Sequence, residues 1–550
     1  MTFRNCFAHF WILVTASLFV GAVAFASDEV ARVVILVNGN DAESVEIGEY
    51  YASKRGIPEK NIIHLATSKA ETITISEYVE TIYNPLLSKL IEGNWVEGVR
   101  ASGSDRYGRQ GMSVAVHSIS YLVTVRGVPL RISNAPELIE ANTGKMNEEF
   151  KVNRGAVDGE LALLLAPSHV SMTAFIPNPL FEKKSPLAGD LSRLIRVTRL
   201  DGPKAGDVMK LVDRTLEAER TGLMGRAYFD IGGPHNSGDE WMNAAGDLAK
   251  AAYFDTSFET TKRPMGMNDR YDGPAIYMGW YRPNAYGPWL APRWSVPPGA
   301  IGFHLHSYSA PTVRSAKQGW LGPFVAQGYC ATMGNVYEPY LQFTHRPQLL
   351  LEHLLTGHTF GEAITYCNPS LSWMGVAIGD PLYRPFKIDL EEQLAKVPEG
   401  PFAVYVHLRE INRLKAEVSQ SAALAYARKT FVAQPSLALA YELAQLFAAE
   451  GQKKESVEAL KIIRYIDEYS DDEQILVKQI ADFLYKQGEG AAAMEIYESL
   501  IGQRYLDKQL RIALLEGGAK VAATAGTSTQ ASRWNLEARE LKASPSPKKK

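Results

Sequence analysis

The run Val33-Val34-Ile35-Leu36-Val37, followed at once by the turn cluster Asn38-Gly39-Asn40-Asp41, constrains the fold more than any other feature of this chain. A short apolar run rich in β-branched residues reads as a buried strand, and the cluster behind it can cap a helix. Val45, Gly48, Tyr51 and Ala52 then fall at helical spacing, Lys54 and Arg55 occupy the last turn, and Gly56 with Pro58 stops it. Asn61 to Leu65 is the next strand. Strand, helix and strand with a short return imply a right-handed βαβ unit and a parallel sheet, so the expected class is α/β and doubly wound.

Further strands are expected at Ile119 to Val125, Arg226 to Ile231, Ala275 to Met278, Ala300 to His306 and Ala331 to Gly334. Several end in Gly, Ser, Asn or Pro clusters, and in an open α/β sheet the carboxyl ends of strands are where sites lie. Helices are expected at Lys204 to Thr221, Ala244 to Ala252 and Gln348 to Thr356. The aromatic, proline-rich stretch from Tyr281 to Pro298 reads as a surface excursion.

After Pro385 the character changes. From about Leu390 to Leu541 proline is scarce and Ala, Leu, Glu and Lys dominate, the composition of packed helices. Tyr441-Glu442-Leu443-Ala444 with Phe447, Gly451 and Ser456 parallels Lys478-Gln479-Ile480-Ala481 with Leu484, Gly488 and Ala493, at an offset of 37 residues. Tetratricopeptide-like hairpins and an irregular helical bundle both fit, and either suits a protein-binding surface better than a catalytic one.

Residues 1–26 read as a secretory signal: Arg4, an apolar centre from Phe10 to Val23, and Ala24-Phe25-Ala26 at the cleavage site. The expected organisation is therefore a signal peptide at 1–26, an α/β domain at 27–390, a helical domain at 391–543 and a disordered basic tail at 544–550. Export to the periplasm or beyond follows, with no transmembrane span in the mature form. A net charge of −3 leaves no basic surplus for a nucleic-acid partner. Cys6 leaves with the signal, and Cys330 and Cys367, in apolar settings, read as buried free thiols.

Candidate chemistry concentrates between Gly273 and Arg384, at Gly279-Trp280-Tyr281, Phe303-His304-Leu305-His306-Ser307-Tyr308-Ser309, Gly334-Asn335-Val336-Tyr337-Glu338-Pro339-Tyr340, Gly361-Glu362-Ala363 and Gly379-Asp380-Pro381-Leu382-Tyr383-Arg384. Together with Arg126-Gly127-Val128-Pro129-Leu130-Arg131 and Thr198-Arg199-Leu200-Asp201-Gly202-Pro203, these motifs make residues 30 to 386 resemble one particular family of exported bacterial proteins. That family has no assigned activity and is noted chiefly in genomes carrying an exosortase-type protein-sorting system. More distantly, the order of elements resembles the gingipain and caspase class of cysteine peptidases. In that class one strand ends in a Gly-His-Gly turn and the next in the nucleophilic cysteine. Here Trp280 stands where the histidine is expected, and His306-Ser307-Tyr308-Ser309 contains no cysteine. The resemblance thus implies the scaffold without the pair, since neither an indole nor a phenol accepts a thiol proton near neutral pH.

Two readings follow. The first is an exported binding or assembly protein on a peptidase-like scaffold, its partner a protein or an envelope or exported polymer, with Trp280, Tyr281, His304, Tyr308, Asn335 and Glu338 shaping the crevice. The second is a hydrolase, peptidase or esterase-like, at the same crevice. There His306 would activate Ser307 or Ser309, with Asp230 or Glu338 as the acid. Adjacent strand residues point to opposite faces, so imidazole and hydroxyl meet only where the strand has ended. A variant of the second reading places a metal on His304 and His306, at a spacing of two, with His345, Asp230 or Glu338 as further ligands; nothing fixes a third ligand, and no metal is expected. Nor is a cofactor: Gly232-Gly233-Pro234-His235-Asn236-Ser237-Gly238 lacks the Gly-Lys-Ser or Gly-Lys-Thr of a phosphate-binding loop.

Overall fold

The computed structural model describes residues 29–139, 141–166, 170–291, 295–466 and 469–544. The expected signal segment and the tail from 545 lie outside the described residues. The chain divides into two compact units. One comprises 29–215, His306–Ala326 and Cys330–Arg384, and the other Leu216–Leu305, Gln327–Tyr329 and 385–544. One boundary between the units, Arg384 to Pro385, falls where the composition changes, and Leu216–Leu305 groups with the residues that follow that boundary.

The strands that carry the architecture are β1 (Val33–Asn38), β2 (Ile62–Leu65), β3 (Tyr121–Val125), β4 (Arg196–Leu200), β5 (Arg226–Asp230), β6 (Thr256–Glu259), β7 (Pro274–Gly279), β8 (Ile301–His304), β9 (Ala331–Asn335) and β10 (Gly375–Gly379). In the first unit they run in the order β9-β10-β4-β3-β1-β2, parallel except that β9 and β10 are antiparallel. In the second the order is β6-β5-β7-β8, all parallel. The sheet is thus mixed and mostly parallel. The expected βαβ start is present: the helix Ala42–Arg55 joins β1 to β2, with Ile35 opposite Ile62. Gly48 is required there, because a Cβ on it would lie 2.4 Å from Val37 Cγ1. Cys330 and Cys367 are buried free thiols.

Three of these ten strands are not among those expected from the sequence. β4 reads Arg-Val-Thr-Arg-Leu and has no apolar run, yet Arg199 is fully buried in it. Its guanidinium directs all five N–H groups onto acceptors. Nε and Nη2 donate to Asp158 at 3.0 and 2.7 Å, Nη1 to Asp201 at 3.2 Å and to the Val128 carbonyl at 3.0 Å, and Nη2 also to the Pro129 carbonyl at 2.9 Å. A buried charge is tolerated when paired and fully hydrogen-bonded in this way. β6 and β10 are likewise unforeseen, being four and five residues long. The excursion after Tyr281 is not wholly a surface feature. Ala285, Trp289 and Val296 are buried, and Trp289 packs on Tyr271, Tyr277 and Tyr286.

In the second unit, the first helices of four successive helix pairs are Val404–Glu417, Leu437–Ala449, Gln474–Lys486 and Lys508–Thr524. Their starts lie 33, 37 and 34 residues apart. The longest interval is the one legible in the sequence. It arises where the helix Lys453–Ala459 gives way to a 3-10 segment, Leu460–Tyr465. One apolar core runs through all four pairs, from Leu408 to Ala538. No helix among the described residues is long and apolar enough to cross a membrane.

Buried charge joins the first of these helices to β5 and β7. The Tyr405 hydroxyl donates to Asp272 Oδ2 at 2.8 Å, and Arg270 Nε and Nη2 donate to the two Asp272 oxygens at 2.6 and 3.0 Å. Arg226 pairs with Asp255 at 2.6 Å. Burial opposes ionisation of Asp272, but the Arg270 and Arg226 guanidinium groups prevail and hold its carboxyl below the usual range. Ionic anchoring of this kind explains why β5 to β8 group with the helices.

Candidate functional site

In the second unit, Asp230 closes β5 and is 1% exposed. Its Oδ2 accepts the Met265 N–H at 3.0 Å, and among the described residues no donor satisfies its Oδ1. Burial, with help from Glu259 and Asp269, pushes the carboxyl up to about 8. At neutral pH it is therefore mostly a neutral acid, unsuited to orienting an imidazolium.

His304, at the end of β8, is fully buried. Its Nε2 accepts the Arg282 backbone N–H at 2.9 Å, so Nδ1 carries the proton shared with the Tyr277 hydroxyl at 3.0 Å. Tyr277, which lies beside Asp230, was not singled out from the sequence; an aromatic inside an apolar strand carries no signal of a polar role.

Trp280 is 2% exposed. The indole N–H donates to Asp239 Oδ1 at 2.8 Å, and the same oxygen accepts the N–H groups of Gly232 and Gly233 at 2.8 and 3.1 Å. A Cβ on Gly233 or Gly238 would fall 1.9 or 2.0 Å from the indole ring. The glycines of Gly232–Gly238 thus make the bed on which Trp280 lies. Tyr281, beside it, is exposed.

In the first unit, His306, Ser307 and Glu338 come together. The Ser307 hydroxyl donates to Glu338 Oε1 at 2.8 Å, an oxygen that also accepts the Tyr340 N–H at 3.1 Å. Nδ1 of the half-buried His306 contacts the Ser307 carbonyl, which fixes the proton there and makes Nε2 the basic nitrogen. Burial lowers the imidazole's pKa, against the pull of the Ser307 carbonyl and the Glu338 charge. The hydrogen-bond order, serine to carboxylate, is not the serine–imidazole–carboxylate relay of a hydrolase.

Ser309 is fully buried, and its Oγ accepts the Asn335 N–H at 3.0 Å. It pins the loop to β9 and is spent on architecture. The Asn335 side chain reaches the His306 carbonyl at 3.5 Å. Tyr308, at φ 55°, is exposed and meets the Tyr337 ring edge-on, centroids 6.3 Å apart. Arg131 and Arg154 lie 5.5 and 5.0 Å over the Tyr337 ring. Both arginines went unremarked as site residues because each is more than 150 positions from Tyr337 in the chain.

His345 is buried away from any such group, against Gly375, and its burial brings the imidazole down to about 4. Among the described residues, no three His, Cys, Asp or Glu side chains gather so as to hold a metal ion.

No family model matches the chain, and no curated protein does. Two solved structures of the nearly identical TPR-like repeats of a putative kinesin light chain from Podosopora anserina, one of them a point-substituted form, are similar to it at 18% and 17% identity. Each covers 28% of this chain and 82% of its own, with a TM-score of 0.22.

Proposed function

We propose that this chain is an exported binding or assembly protein, built on a caspase- or gingipain-like scaffold whose catalytic pair is absent. It belongs, on this reading, with the proteins that accompany exosortase-type sorting, and it holds a protein or an envelope polymer. The observation that carries the reading is Trp280. By the resemblance it stands where a histidine is expected, and it is committed to packing on Gly233 and Gly238 and to Asp239. The two thiols are buried, and burial pushes that of Cys367 up, away from the thiolate a nucleophile needs. The contact surface on this reading includes Tyr308, Tyr337, Arg131 and Arg154, flat aromatic and guanidinium groups that suit recognition at low entropic cost. Tetratricopeptide-like hairpins after residue 404 would supply a second protein-binding surface.

One observation favours the second reading, a serine hydrolase. The Ser307 hydroxyl is held by a carboxylate, and the preceding residue is an imidazole whose Nε2 is the basic nitrogen, so a serine, a base and an acid are present within one short stretch of contacts. Labelling of the purified mature protein with a broad serine-reactive fluorophosphonate tests both readings, with Ser307→Ala and His306→Ala as controls. Binding without catalysis requires no label on the wild type. Label that disappears in both variants would overturn it and establish an activated serine.

A further inference from the structure

Away from these residues, the first unit contains a small cationic cavity of about 70 Å³. Arg196 enters it from the start of β4, His353 from the helix Pro347–Leu355, and His358 from the loop that follows. The two imidazoles stack with centroids 3.6 Å apart, and the Tyr366 ring stacks on the other side of His353 at 4.2 Å. Lys183 and Lys184 stand at the wall.

The charges in this cavity are unevenly satisfied. Lys183 pairs with Asp190 at 2.5 Å, and Lys184 with Glu352 at 2.7 Å. Glu362 is occupied in capping its own helix, its Oε2 accepting the Thr359 N–H at 3.0 Å. His358 Nδ1 faces the His353 carbonyl at 3.3 Å and Thr356 Oγ1 at 3.1 Å. The Arg196 guanidinium has no hydrogen-bonded acceptor or ion-pair partner among the described residues, its Nε is buried, and it lies 5.9 Å over the Tyr121 ring. The His353 ring makes no hydrogen bond among the described residues, and the residue is 7% exposed. A buried Nε–H left without an acceptor is costly, and a half-buried guanidinium arranged beside two imidazoles is a seat for an acceptor that the protein itself does not provide.

We propose that Arg196, His353 and His358 form a binding site for a tetrahedral oxyanion, sulfate or phosphate, free or as the end group of a larger molecule, and that binding is coupled to proton uptake. The coupling has a plain cause. His353 is brought down to about 4 chiefly by burial and then by His358, against opposition from Glu362 and Glu352, with Arg196 adding the smallest push in the same direction as burial. An anion seated between these groups reverses the balance, so affinity rises as pH falls.

Sulfate stays a dianion between pH 5 and pH 8, so any change in its affinity over that range belongs to the protein. In the full mature chain carrying 13C at histidine Cε1, sulfate is titrated at both pH values and the His353 resonance, assigned with His353→Gln, is followed. If the bound anion restores the ordinary imidazole pKa, sulfate binds about thirtyfold more tightly at pH 5 than at pH 8. Arg196→Gln should weaken binding at least about tenfold at both pH values, and Arg196→Lys, which keeps the charge in a folded chain, should restore part of it. His353→Gln should abolish the pH dependence. Parallel arms with inorganic phosphate and glycerol phosphate assign the source: equal affinity points to an end group, preference for the inorganic ion to free phosphate, and either supports the site. The proposal is overturned if millimolar sulfate leaves the His353 resonance unmoved at pH 5. Equal affinities at the two pH values, or wild-type binding by a folded Arg196→Gln, overturn it too.

Discussion

Asp230→Asn should stabilise the protein at alkaline pH and leave it unchanged in acid. The native carboxyl is raised from 3.8 to about 8, chiefly by burial. A raised acid binds its proton more tightly in the native state than in the unfolded chain. Its contribution is therefore fully present below about pH 4 and is lost progressively as pH climbs to 8. With the two pKa values four units apart, the loss between pH 5 and pH 8 is about 4 kcal/mol. Asparagine has the same shape, keeps an oxygen for the Met265 N–H and has no charge to bury. Urea unfolding followed by tryptophan fluorescence is a suitable assay, because the buried Trp280 and Trp289 belong to the same unit as Asp230. The wild-type midpoint should fall between pH 5 and pH 8 by an amount that the variant does not share. Parallel pH profiles for the two proteins would refute the reasoning, showing that Asp230 is ionised and has a counter-charge. That result would also return Asp230 to consideration as the acid of a catalytic group.

Arg199→Lys should cost about 3 kcal/mol, measured as a lowered thermal midpoint, because one ammonium cannot serve Asp158, Asp201 and two carbonyls at once. Gly238→Ala places a methyl 2.0 Å from the Trp280 ring, so the indole should be displaced, with red-shifted emission and a loss of about 2 kcal/mol. Tyr405→Phe removes the 2.8 Å bond to Asp272 and should lower stability by about 1 to 2 kcal/mol in urea unfolding.

What was legible in the sequence was what local periodicity encodes. The Val33–Asn38 strand, its helix and Ile62–Leu65 follow from the spacing of apolar residues, and the helices after Leu390 follow from composition. β4 was hidden because the stability of Arg199 in a sheet depends on Asp158 and the Val128 carbonyl, 41 and 71 residues away. The grouping of β5 to β8 with the helical region was hidden for the same reason, since Asp272 and Tyr405 are 133 positions apart. At the site, the set His306, Ser307 and Glu338 could be named in advance, but not that the serine would donate to the glutamate 31 residues on. The glycines before Trp280 could be recognised as something other than a phosphate cradle. Their purpose needed the indole in place.

Four of the motifs behind the family resemblance meet around one segment of chain. Arg199, itself paired with Asp201, donates to the Val128 and Pro129 carbonyls, and Arg314 bonds to the same Val128 carbonyl at 3.0 Å while lying 3.6 Å from Asp201. Arg131 donates to the Pro311 carbonyl, and Glu71 accepts the Val313 N–H at 2.9 Å. From β9, Asn335 accepts the Ala310 N–H at 2.9 Å and donates its own to Ser309. The segment from Ser309 to Arg314 is thus fastened on three sides, with exposed Tyr308 at its head. A hydrolase lid needs a segment that opens, and segments that open are weakly tied. A preformed recognition surface needs the opposite, because ordering it in advance removes the entropic cost of association. The density of fixed contacts around Tyr308 therefore supports binding over turnover.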